Sequence, residues 1–208
     1  MLRNETKIAI RFTLLTTVLL GILYPLAVTW IGQLAFHHHA DGELIFSDGQ
    51  VVGSRLIGQN FSGELYFHGR PSAAGNGYDA TSSSPSNYAA SNQKLISRID
   101  GDVAHYAAEN KSQPVPIDLV TASGSGLDPD ISPAAAMFQV ERVAEARHLP
   151  VSTVRDLVQR HVQGRQFGLL GEERVNVLLL NMDLDRLGSP SAAKIDSLQR
   201  SYGRPDAR

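Results

Sequence analysis

Ser123-Gly124-Ser125-Gly126, followed by Asp128-Pro129 and Asp130, is the densest run of reactive groups in this 208-residue chain. Hydroxyls and carboxylates among glycines suit acyl transfer or anion capture. The G-x-S-x-G elbow is not met, because Ala122 takes the place of its first glycine. A Walker-type cradle is not met either: no G-x-x-x-x-G-K-[ST] occurs, and carboxylates stand where a phosphate wants lysine. Ser123, Gly124, Ser125, Gly126, Asp128 and Pro129 therefore read as a structural loop locked by Asp128-Pro129. His148 falls near a predicted helix end, where the dipole favours an imidazolium, and His161 borders an apolar face; both have structural accounts. His37-His38-His39 lacks the ligand spacing of a zinc site and reads as a solvated linker, so no metal is expected. Cysteine is absent, which excludes thiol catalysis, thiolate metal sites and a disulfide framework. With 19 basic and 21 acidic residues, a net charge of −2 and no basic stripe, nucleic acid is not an expected partner.

The element that must position all of this is Phe12 to Phe36, 25 residues without a charge. At about 1.5 Å per helical residue it crosses a hydrocarbon core of roughly 30 Å. Arg3, Lys7 and Arg11 precede it, and the positive-inside rule puts residues 1–11 in the cytoplasm. Residues 12–36 are the expected transmembrane helix. Residues 37–187 are the expected extracytoplasmic domain, and 188–208 a flexible tail. The run is longer than a signal-peptide core and ends in bulky residues, so it reads as an uncleaved anchor. Thr13, Thr17, Gly21, Pro25 and Thr29 recur every fourth residue. Small residues allow close backbone approach in lipid, so Thr17, Gly21 and Pro25 are the candidate helix-packing positions.

About 170 residues follow the span, enough for one domain. Strands are predicted at Gln50–Ile57, Leu65–His68, Val115–Thr121 and Val175–Leu184, the last an apolar run suited to a central position. Helices are predicted from Asn92 to Glu109, from a Ser132 cap with Pro133 to about His148, and from a Ser152 cap to Gly164. Residues 71–92 read as a long irregular loop. The fold class is a single N-terminal transmembrane α-helix followed by one mixed α/β (α+β) extracytoplasmic domain.

Several blocks carry a resemblance. They are Gly53-Ser54-Arg55-Leu56-Ile57-Gly58-Gln59-Asn60-Phe61, Tyr66-Phe67-His68-Gly69-Arg70-Pro71-Ser72-Ala73 and Val120 to Pro129. Gln139-Val140-x-Arg142-Val143-Ala144 and Val175-Asn176-Val177-Leu178-x-Leu180-Asn181 complete the set. In this order, over about residues 8–187, they resemble the C subunit of bacterial Kdp-type potassium-transporting P-type ATPases. Ser82-Ser83-Ser84-Pro85-Ser86-Asn87 departs from that family by replacing glycines.

The resemblance implies a single-pass, non-catalytic accessory subunit of the bacterial inner membrane. Its implied partners are a potassium-conducting channel-like subunit, a P-type ATP-hydrolysing subunit and a small single-span subunit. It implies no cofactor of its own, with ATP entering only in a transient complex with the hydrolysing subunit, whose ATP affinity the family raises as a catalytic chaperone. Because only about eleven residues face the cytoplasm, that effect is expected to be indirect; a coupling of about 1–3 kcal/mol changes affinity some 5–150-fold without contact. The expected docking residues are Gln59, Asn60, Phe61, Tyr66, Arg70, Pro71, Ser72 and Asn87. The competing reading is a membrane-anchored periplasmic hydrolase or small-ligand binder using Ser123, His68 or Asp128.

Overall fold

Helix α1 (Leu2–Val18) runs through a π-helical turn, Leu19–Leu23, into α2 (Tyr24–Ala35). The computed structural model describes residues 2–47 and 49–187. The expected tail, 188–208, lies outside them. Asn4–Ala35 is one helix long and apolar enough to cross a membrane. Its π-turn has a local cause. Pro25 has no N–H and crowds the preceding turn, and the ladder adapts by closing Tyr24 N–H onto the carbonyl of Leu19. Four residues overshoot an α-turn by about 40°. The wider π-turn removes part of that drift at Gly21, so the Thr17, Gly21, Pro25 stripe runs straighter than in an unbroken α-helix.

Phe36, at φ −140° and ψ 45°, ends α2, and α3 (His37–Ala40) adds one turn. His37 is held between Gln33, 2.8 Å away, and Asp41, 3.3 Å away; His39 pairs with Glu43. Strands β1 (Leu44–Ser47) and β2 (Gln50–Ser54) form an antiparallel hairpin with a bulge at Ile45/Phe46. Among the described residues, those up to Ser54 form one compact unit, and residues 55–187 a second.

In the second unit, α4 (Gln93–Glu109) starts where expected: Asn92 Oδ1 accepts the Lys94 N–H at 2.9 Å. The short strands β3 (Asp130–Ile131), β4 (Val162–Gln163) and β5 (Arg174–Asn176) make an antiparallel sheet in the order β3-β5-β4. Helices α5 (Pro133–Phe138), α6 (Val140–Ala146), α7 (Val151–His161) and α8 (Val177–Leu187) supply most of the core. Phe138, Val143, Val154, Val158, Val175, Leu180 and Leu184 are fully buried there. The domain is thus a mixed helix-and-sheet structure, as expected, but with far less strand.

Several elements differ from expectation, each for a physical reason. Val175–Leu184 is not one strand: β5 stops at Asn176, whose Oδ1 caps α8 by accepting the Leu179 N–H at 3.1 Å. Val177, Leu180, Asn181 and Leu184 then share one buried helical face. The run is so rich in leucine that its period of 3.6 is hidden. Within Val115–Thr121, Pro116 offers no N–H, and Ile117–Leu119 closes into a 3-10 turn. The helix after Ser132 keeps its predicted cap, with Ser132 Oγ accepting the Ala135 N–H at 3.1 Å, but divides at Gln139. In α7, Ser152 lies inside the helix, Pro150 is the N-cap, and the chain turns extended at Val162, before Gly164. Leu65–His68 runs without a strand partner, for a reason that belongs to the site.

Candidate functional site

Two polar loops, residues 58–87 and 121–130, lock together on the second unit. Ser72 Oγ donates to the Gly126 carbonyl at 2.6 Å and accepts the N–H groups of Tyr78 at 2.7 Å and Ala74 at 3.2 Å. Arg70 reaches from the first loop to the second, pairing Nη1 with Asp128 Oδ2 at 3.0 Å and donating Nε to the Thr121 carbonyl at 3.3 Å. The Tyr78 hydroxyl donates to the Arg70 carbonyl at 2.6 Å. Burial and the Asp128 charge push that phenol up to about 12, so it stays a donor at every physiological pH.

Glycine is required where the loops touch. At Gly126, φ is +69° and an added Cβ would lie 2.7 Å from the Ala74 nitrogen and 2.8 Å from the Ser84 carbonyl oxygen. At Gly58, whose N–H donates to the Leu127 carbonyl at 2.8 Å, a Cβ would meet the Asp128 carbonyl oxygen at 2.5 Å. Ser125 joins from the other side, its carbonyl accepting from Ser84 N–H at 3.1 Å and Ser83 Oγ at 2.9 Å. Pro129 ties the loop to the helical core, accepting the Val177 N–H at 3.0 Å.

Beneath this mass, side-chain amides replace a β-ladder. Asn181 Oδ1 accepts the Phe67 N–H and its Nδ2 donates to the Phe67 carbonyl, both at 2.9 Å. Gln139 does the same for His68, accepting its N–H at 2.8 Å and donating to its carbonyl at 3.1 Å. The strand expected at Leu65–His68 is therefore not formed: Leu65 lies in a turn and Tyr66 at a bend, and the backbone partners of Phe67 and His68 are two carboxamides from α8 and the α5–α6 break. Arg142 completes the frame. It pairs with Glu109 at 2.7 Å, donates to the carbonyls of Glu64 at 2.7 Å and Tyr66 at 3.0 Å, and holds Gln139 Oε1 at 2.8 Å. Tyr66 packs on Phe61 and lies under the Arg147 guanidinium, 4.7 Å from its ring centre.

An open cleft of about 380 Å³ lies along the first loop, lined by Asn60, Phe61, His68, Arg70, Pro71 and Ser72 on one side and by Asp102, His105 and Tyr106 of α4 on the other. Burial and the nearby Arg142 charge hold His68 below its ordinary value, leaving a neutral imidazole whose Nε2 lies 2.8 Å from the Gly63 carbonyl. Asp102 is held by Arg98 at 2.6 Å.

The structure thus brings Phe61, Tyr66, Arg70, Pro71 and Ser72 together with Gly126, Asp128 and Pro129. Gln59 is half-exposed and Asn60 exposed, at the rim. Gly124 and Ser125 are exposed at the loop crest, and Asn87 stands at the surface with φ +54°. Thr17, Gly21 and Pro25 belong to the span. Ser123 is buried, and among the described residues no hydrogen bond joins Ser123, His68 and Asp128 to one another. His148, at φ +54°, closes α6 in the left-handed conformation, and His161 pairs with Asp183 at 2.9 Å. Sequence reasoning gave Gln139, Arg142 and Asn181 no individual role; a lone amide within an apolar run was the only signal for Gln139 and Asn181, and Arg142 carried none.

Comparison with known proteins gives a consistent result. The sequence profile described as KdpC, the c chain of K+-transporting ATPases, matches residues 6–186. A protein of Acidobacterium capsulatum described as the potassium-transporting ATPase KdpC subunit is 53% identical over 184 residues, covering 88% of this chain and 99% of its own. A protein of the same description from Koribacter versatilis is 51% identical over 177 residues, covering 85% of this chain and 92% of its own. A third, from Caulobacter vibrioides, is 55% identical over 183 residues, covering 88% and 93%.

Proposed function

Because the chain belongs to the KdpC family of K+-transporting ATPase c chains, we propose that it is the non-catalytic accessory subunit of an ATP-driven potassium importer. It stabilises the assembly of a channel-like potassium-conducting subunit, a P-type ATP-hydrolysing subunit and a small single-span subunit. The observation that carries this reading is the use made of the polar groups. Arg70, Ser72, Tyr78 and Asp128 bind one another across two loops and present a fixed surface. The hydrolase reading needs Ser123, His68 and Asp128 to act jointly, and each is bonded elsewhere or buried.

The span lies in the inner membrane with the N-terminus on the cytoplasmic side, following Arg3, Lys7 and Arg11. The straightened face at Thr17, Gly21 and Pro25 packs against a partner helix, and the cleft and loop crest rest on the channel-like subunit. ATP affinity of the hydrolysing subunit then rises by conformational coupling, with no nucleotide held by this chain alone. The test is potassium-stimulated ATP hydrolysis by the complex purified with and without this chain, measured against ATP concentration. Loss of rate or a raised KM for ATP without the chain is expected; identical curves would end the proposal. Gly21→Leu should reduce co-purification of the partners, and full recovery would exclude the stripe as the packing face.

A further inference from the structure

Residues 75–78 form a surface turn within the first loop, with Gly75 and Asn76 exposed and Gly77 half-exposed beside the cleft. Asn76-Gly77 is the one asparagine–glycine pair in the chain; every other asparagine precedes a residue with a side chain. A following side chain crowds the approach of its own backbone nitrogen to the asparagine carboxamide, and glycine has none. Among the described residues the Asn76 carboxamide makes no hydrogen bond. A Cβ added at Gly77 would meet nothing within 4 Å, so that flank of the pair is open. One restraint is present: the Gly77 N–H donates to the Ala74 carbonyl at 2.8 Å. It is a single bond of a surface turn, of the kind that opens without unfolding the domain.

We propose that Asn76 is a spontaneous modification site, converted through a succinimide to isoaspartate, and that the conversion loosens the clasp between the two loops. When the turn opens, hydroxide removes the Gly77 amide proton and the nitrogen bonds to Asn76 Cγ. The Cγ–Nδ2 bond breaks, and the leaving nitrogen takes a proton from water and departs as ammonia. Water then opens the cyclic imide. Cleavage of the new bond to Cγ gives aspartate; cleavage of the original bond to the main-chain carbonyl carbon gives isoaspartate. Either way one water is consumed, one ammonia is released, one carboxylate is gained, and nothing is oxidised or reduced. Isoaspartate also lengthens the main chain by one carbon between residues 76 and 77, and the hydrogen bonds leave no slack for it. The Ala74 carbonyl accepts the N–H groups of Gly77 at 2.8 Å and Asp79 at 3.2 Å, and Ser72 Oγ accepts those of Ala74 at 3.2 Å and Tyr78 at 2.7 Å. The extra carbon displaces Gly77 or Tyr78 from these acceptors, and Ser72 is the side chain that donates to Gly126 of the second loop. The inference is independent of the accessory role.

The full chain in detergent is aged in heavy-oxygen water at mildly alkaline pH, either folded or in guanidinium chloride, and then digested for peptide mass spectrometry. Heavy oxygen should replace nitrogen at residue 76 of the folded chain, in proportion to time and hydroxide, chiefly as isoaspartate. Asn76→Gln should show no such exchange. Asp41-Gly42, Asp48-Gly49 and Asp100-Gly101 can form isoaspartate through the same ring but release no ammonia, so loss of nitrogen identifies residue 76. A folded chain still intact at residue 76 when the denatured chain is fully converted would overturn the site. Urea midpoints read the clasp. The aged chain should unfold at lower urea than the fresh one, while fresh Asn76→Asp, which gains the charge without the extra carbon, should match the fresh parent. An unchanged midpoint on ageing, or a fresh Asn76→Asp midpoint as low as the aged one, would overturn the loosening. Aged Asn76→Gln should keep its midpoint; a fall equal to that of the aged parent would assign the loss to the Asp-Gly pairs and overturn it as well.

Discussion

Asn181 bears the most compact test of how this domain is held. Its amide satisfies both backbone groups of Phe67, and the two residues are 1% and 0% exposed. Asn181→Leu keeps the number and branching of the heavy atoms but adds the volume of about two methylenes, so any overpacking adds to the loss. It strands a buried N–H and a buried carbonyl, each costing about 1–3 kcal/mol. The sum, about 2–6 kcal/mol, is a large share of the roughly 5–15 kcal/mol that keeps a domain folded. For a chain of this size it lowers Tm by on the order of 10 °C. Asn181→Asp separates the two bonds. The carboxylate still accepts the Phe67 N–H but opposes the Phe67 carbonyl, and only its protonated form can donate there. Folding therefore raises the pKa of the substituted carboxyl. The stability it restores is fully present below the ordinary carboxylate value and is lost as pH rises through the folded value. Thermal and urea unfolding of the full chain in detergent, followed by circular dichroism, measures both effects. The reasoning is refuted if Asn181→Leu unfolds within about 1 kcal/mol of the parent. It is equally refuted if Asn181→Asp fails to recover stability in acid relative to the leucine variant.

The remaining predictions concern pH and backbone fit. Burial and Arg142 hold His68 below 6.5, so the unfolded chain takes up its proton first; stability falls as pH drops below 6.5 and levels off once the folded group protonates. His68→Gln should flatten that part of a Tm-versus-pH curve, and an unchanged slope would exclude His68 as its source. Gly126→Ala forces a Cβ into two backbone atoms at positive φ and should cost about 2 kcal/mol or more. Gly124→Ala, with nothing within 4 Å of the added carbon, should stay within about 0.5 kcal/mol. Equal urea midpoints for the two would show that the loops do not interlock.

Short-range features were legible in the sequence. The length of the apolar run gave the spanning helix, because crossing hydrocarbon is a matter of residues in series. Asn92 and Ser132 marked helix starts, because a cap and the N–H it accepts lie within three residues. The irregular 71–92 segment was legible from its composition. The ordered blocks carried the family, since each preserves a local string. The Leu65–His68 segment was not legible: its side chains suggested a strand, but the partners that hold its backbone are side-chain amides 71 and 114 residues away. The failure at Val175–Leu184 has the same origin. An apolar run lacks visible period where consecutive positions, as in Val177–Leu180, are all leucine or valine, and the cap at Asn176 decides between strand and helix.

What only the tertiary structure decided is the use of each polar side chain. Arg70 and Ser72, which the sequence marks as surface docking groups, also fasten one loop to the other through Asp128 and Gly126. The exposed Phe167–Leu170 segment between β4 and β5 drew no notice as sequence, because Phe-Gly-Leu-Leu is as compatible with a core as with a protrusion. Burial is a property of what surrounds a residue. The chain's local chemistry therefore fixed its span, its caps and its family, while long-range packing chose which amides would replace a missing strand and which apolar groups would remain outside.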